Sequence, residues 1–92
     1  MDMDMKKYLL NKIDRQASLS IIKYRKNNLY SAGIYFHTAC EFGVMYGKFF
    51  VEEEVDAEFR YIDIFHKVCE RWDVDYRTWF DAMCDYVYVK GC

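Results

Sequence analysis

The sequence predicts an all-α fold, a small helical bundle of three long helices plus a shorter C-terminal helix, and three observations carry that prediction. Apolar residues recur at the helical period through most of the chain. Proline is absent and all four glycines lie at or beyond Gly33, so no linker or second domain is marked. The length of 92 residues suits one core, and residues 1–92 are read as a single helical domain.

The first helix is expected from Lys6 to Asn27. Leu9, Leu10, Ile13, Ala17, Ser20, Ile21 and Tyr24 fall within about a 120° arc at 100° per residue, with Lys12, Arg15, Lys23 and Lys26 on the other side. Tyr8, Leu19 and Ile22 form a second, thinner apolar strip among those charges. An isolated amphipathic helix has no use for such a strip, which makes it a candidate partner surface.

Asn27-Asn28 reads as a break, and Leu29 to Phe50 as the second helix. Its polar residues Ser31, His37, Thr38, Glu41 and Lys48 occupy about a third of the circumference, so the helix is expected in the middle of a bundle. Ala39, Gly43 and Gly47, four residues apart, form a smooth groove that admits a neighbouring helix and is assigned to partner binding. A helix that simply ends near Gly43 or Gly47 is the alternative.

Glu52-Glu53-Glu54 suits the positive end of a third helix reaching about Trp72, with Val55, Phe59, Ile62, Phe65, Cys69 and Trp72 on its apolar face. Asp73 or Asp75 can cap a fourth helix presenting Tyr76, Trp79, Phe80, Met83 and Val87 on one side. The tail Tyr86-Val87-Tyr88-Val89 has the composition of a strand, which leaves the conformation after Tyr86 open.

Composition and charge point to partners. Hydrophobic residues make up 53% of the chain and aromatics 20%, more than a core of this size can hide. Residues 1–30 hold seven Lys/Arg against three Asp, a balance of +4, while residues 31–92 hold six against twelve, a balance of −6. That polarity suits docking within the fold or between subunits. The acidic start Met1-Asp2-Met3-Asp4-Met5 lacks the pattern of a signal peptide, so a cytoplasmic protein with free thiols is expected. Leu29 to Val51 could span a bilayer by length, but its polar residues argue for a buried helix and no membrane partner.

One motif has specific chemistry. Phe36-His37-Thr38-Ala39-Cys40-Glu41 is echoed by Phe65-His66-Lys67-Val68-Cys69-Glu70, both F-H-x-x-C-E, and these hold the only two histidines. In antiparallel helices hinged near residue 53, His37 would lie level with Cys69, and Cys40 with His66. Two imidazoles and two thiolates can fill a tetrahedral structural Zn²⁺ site, with Glu41 or Glu70 orienting a ligand. The competing reading is plain helix packing, since cysteine is among the most buried residue types and no cofactor is then needed.

A second candidate is nucleic-acid binding through Lys12, Arg15, Lys23, Arg25 and Lys26 on the first helix, with Tyr8 and Tyr30 near for stacking. The fourth helix is a poor recognition helix, because Asp75, Asp81 and Asp85 outnumber Arg77 and would repel phosphate. No Gly-rich phosphate loop or serine nucleophile motif is present, and a Cys-His dyad lacks an evident oxyanion site, so no enzyme is expected. The leading expectation is a non-enzymatic protein-interaction module, a small regulator or inhibitor that occupies a protein partner and self-associates as a homodimer.

Overall fold

The computed structural model describes residues 3–50 and 57–90, which form α1 (Met3–Arg25), α2 (Leu29–Phe50), α3 (Ala57–Arg71), α4 (Tyr76–Cys84) and a terminal π-helix, Asp85–Lys90. No strand occurs among the described residues, so the all-α expectation holds. The acidic run Glu52-Glu53-Glu54 and Val55 lie outside them, as does the side chain of Phe59.

Polar residues at the two described turns define where helices stop and start. Asn27 takes a left-handed conformation, φ 61°. Its N–H reaches the Tyr24 carbonyl at 3.0 Å and the Asn28 N–H reaches that of Lys23 at 2.9 Å, a Schellman closure made without glycine. Asn28 then caps α2, its side-chain oxygen accepting from the Ser31 N–H at 3.2 Å. α3 ends the same way: Asp73 has φ 55°, and the Val74 N–H donates to the Cys69 carbonyl at 2.9 Å. Asp75 caps α4 by accepting from the Thr78 N–H at 2.9 Å and the Thr78 hydroxyl at 2.8 Å. The two aspartates considered as caps thus divide the work, Asp73 closing one helix and Asp75 opening the next.

The predicted apolar faces meet in one core. Leu9, Ile13, Ala17 and Ile21 of α1 are buried against Phe36 and Ala39 of α2, Phe65 and Val68 of α3, and Trp79 and Met83 of α4. Phe36 lies at its centre, with ring centroids 5.3 Å from Trp79, 5.5 Å from Phe80 and 6.0 Å from Phe65. The edge-to-face contacts with Trp79 and Phe80 match the ring quadrupoles. Among the described residues Ser20 is the polar residue buried with them. The Ser20 hydroxyl donates to the Ala32 carbonyl at 2.8 Å and accepts from the Trp79 indole N–H at 3.2 Å, tying α1, α2 and α4 together. On the surface, Arg71 makes a two-pronged pair with Asp14, 2.9 Å on each prong, which joins α3 to α1 and contributes up to about 1 kcal/mol.

Phe36 opposes Phe65 while Gly43 opposes Tyr61, so residue numbers run in opposite senses along α2 and α3, as the hairpin prediction requires. The helix is not surrounded, however. The molecule measures 39 × 29 × 19 Å, and 19 Å accommodates only about two helix diameters of 10–12 Å. In two layers every helix keeps a solvent side, and α2 keeps an apolar one. The tail also departs from its strand-like composition: residues 85–90 continue from α4 as π-helix and pack on α2. Gly33 permits that approach, since a Cβ there would lie 3.0 Å from Val87 Cγ2 and 3.1 Å from Tyr86 Cδ2.

Candidate partner-binding surface

The repeated F-H-x-x-C-E segments do face one another, but through their phenylalanines. Phe36 and Phe65 are fully buried, whereas His37 and His66 are exposed. A residue one position along a helix is rotated by about 100°, so burying each phenylalanine carries the histidine beside it toward solvent. His37 Nδ1 lies 3.1 Å from the Tyr88 hydroxyl, and its Nε2 lies 3.4 Å from Glu41. His66 stacks on Tyr76 with ring centroids 3.8 Å apart. Cys40 hydrogen-bonds Tyr88, while Cys69 is buried on α3. The set His37, Cys40, His66 and Cys69 is therefore not gathered at one point, and among the described residues no three His, Cys, Asp or Glu side chains converge to hold a metal ion.

The thiols are also poor nucleophiles. Burial pushes Cys40 and Cys69 each from an ordinary 9.0 up to about 11, so both remain protonated at neutral pH. Burial raises Tyr88 as well. Glu41, His37, Tyr88 and Cys40 thus form a chain of polar contacts with no ionised thiol at its end.

The glycine groove is occupied from within. Ala39 and Gly43 are buried, and a Cβ on Gly43 would lie 2.6 Å from Cγ of Tyr61. At Gly43 the expected partner helix is α3 of the same chain, and Ala39 is buried in the core, so neither residue is open to another molecule. Gly47 differs, since a Cβ there would meet nothing within 4 Å. The same substitution should accordingly have opposite effects four residues apart. Gly47→Ala should raise stability by about 0.5–1 kcal/mol through helix propensity. Gly43→Ala should lower it by about 1–2 kcal/mol, because overpacking against the base of the Tyr61 ring exceeds that gain. Urea denaturation of the two variants checks both signs.

The strip on α1 is only partly displayed. Tyr8 is 53% exposed with the Lys12 ammonium 5.6 Å from its ring centroid, while Leu19 and Ile22 are half-buried. Lys12, Arg15, Lys23 and Lys26 share this outer face. Arg25 is engaged elsewhere, donating to the Trp72 carbonyl.

The larger apolar display is on α2, where sequence reasoning expected burial. Tyr30, Ile34, His37, Glu41, Val44, Met45 and Lys48 fall within about a 100° arc, and every one of them is exposed. Val44 is 53% exposed and Tyr30 69%, values that no core role explains. Tyr88, also exposed, continues the patch from the terminal π-helix. Beside it lies a shallow cavity of about 420 Å³ between α2 and Tyr88, walled by Cys40, Val44 and Met45. A second depression, between Ile34 and Val87, extends it along the same helix. The signal for this surface was present in the sequence: Ile34, Val44 and Met45 flank the angular sector held by His37, Glu41 and Lys48, within about 40° of it at 100° per residue. Tyr88 and Gly33 carried no such signal, because their role depends on where the tail docks.

Among the described residues, no helix is long and apolar enough to cross a membrane. No protein-family model, curated protein or solved structure matches the chain.

Proposed function

We propose that the chain is a non-enzymatic protein-interaction module, a small regulator that acts by occupying a protein partner through the outer face of α2. One observation carries the reading: Tyr30, Ile34, Val44 and Met45 lie exposed along one side of a helix whose other side is the core. Depressions beside Val44 and Ile34 give that side the relief into which a partner's apolar side chains can insert. The Cys40 thiol, which lines the cavity beside Val44, is kept protonated by burial.

The test is affinity capture from the native host followed by mass spectrometry, with the wild type beside Ile34→Glu/Met45→Glu. Both positions are exposed, so the variant should melt close to the wild type while losing the captured partner. An unchanged set of captured proteins would remove the α2 face from the reading.

Nucleic-acid binding is the second reading, supported by the shared outer face of Lys12, Arg15, Lys23 and Lys26 beside Tyr8. Replacing Lys23 and Lys26 by Glu, with Arg25 left on the Trp72 carbonyl, separates the two: nucleic acid would be lost and a partner on α2 retained.

A further inference from the structure

We infer that one occupant of the α2 face is a second copy of this chain, docked antiparallel about a two-fold axis that passes between Val44 and Met45. The inference rests on the reading of that face as a partner surface and adds the identity and register of the partner.

The charge pattern carries it. Glu41 and Lys48 are both exposed and lie seven residues apart on α2. Seven steps of 100° bring them within about 20° of each other around the helix, and a rise of 1.5 Å per residue separates them by about 10 Å along it. Their midpoint falls between Val44 and Met45, two exposed apolar residues that flank the line joining the charges. The strip therefore reads acid, apolar pair, base. In a two-fold interface residue i meets j while j meets i. An axis at the midpoint places Glu41 of each copy against Lys48 of the other, two identical opposite-charge pairs bracketing four apolar side chains. A parallel arrangement would instead set Glu41 against Glu41 and Lys48 against Lys48.

The groups are free to do this. Lys48 has no ion-pair partner among the described residues. Glu41 contacts His37 through Oε1 at 3.4 Å, leaving its other carboxylate oxygen for an incoming ammonium. Tyr88 on one flank supplies further exposed surface beside the axis.

The experiment is a charge exchange read by sedimentation equilibrium on the full chain at high micromolar concentration. Wild type should sediment near twice 11.2 kDa. Glu41→Lys alone and Lys48→Glu alone should each raise the dissociation constant by at least about tenfold, because each places two like-charged pairs in the interface. Mixed in equal amounts, the two variants regain both opposite-charge pairs and should form a one-to-one dimer. Thermal melts of each variant confirm that the surface changes leave the fold intact. A monomeric wild type, single variants that dimerise as well as the wild type, or a mixture that stays monomeric each overturns the inference. The capture experiment above is independent: loss of a host protein by Ile34→Glu/Met45→Glu still supports the broader reading if self-association fails.

Discussion

Phe36→Ala is expected to cost about 3–5 kcal/mol, a large part of the stability of a domain this size. The side chain is fully buried and its ring meets Phe65, Trp79, Phe80 and Tyr88, so truncation opens a void bordered by three other elements. Relaxation is limited because those rings are also packed on one another, Phe65 and Trp79 at 5.3 Å. At about 4–8 °C per kcal/mol for a small domain, the melting temperature should fall by on the order of 10–40 °C. Differential scanning calorimetry reads this directly. A loss below about 1 kcal/mol would mean that the aromatic cluster is not the organising core. Phe36→Leu, which keeps most of the volume, should retain much more of the stability.

The second large effect is expected at Ser20, a small residue whose cost on removal is polar. Ser20→Ala deletes the acceptor for the buried Trp79 indole N–H and the donor to the Ala32 carbonyl, and leaving such groups unpaired costs about 1–3 kcal/mol. The cause can be isolated. Trp79→Phe removes the indole donor at the price of some packing, so in the double variant Ser20→Ala should cost clearly less than it does in the wild type. Urea denaturation of the four proteins completes the cycle. If Ser20→Ala costs the same in both backgrounds, the hydrogen bond to Trp79 contributes nothing to the fold.

These predictions draw on what periodicity made legible. The limits of α2, Leu29 and Phe50, follow from the Asn27-Asn28 break and the apolar run after it, and the structure has the same limits. The inward sides of α1, α3 and α4 were equally readable, down to Ser20 among the apolar positions, because a 3.6-residue period maps position onto direction within any one helix. The candidate site was less legible. The F-H-x-x-C-E repeat correctly marked two segments that pack together, and His37 and Cys40 both contact Tyr88. Which of the repeated side chains would meet could not be told from spacing. Rotating either helix by about 100° exchanges Phe for His at the interface, and burial of two large rings decides between them because solvated imidazoles lose little by staying outside.

Taken by itself, the sequence determined helix against strand as far as Tyr86, the breaks after α1 and α3, and the inward face of each amphipathic segment. It also determined that the chain carries more apolar surface than its core can use. Only the tertiary structure decided where that surplus lies. α3 covers Gly43 with Tyr61, the tail covers Gly33 with Tyr86 and Val87, and the line from Ile34 to Met45 is left open. The reason is geometric: periodicity orients side chains about one axis, whereas exposure depends on which other axes lie alongside it, and a molecule two helices thick cannot enclose a helix that is apolar on most of its sides.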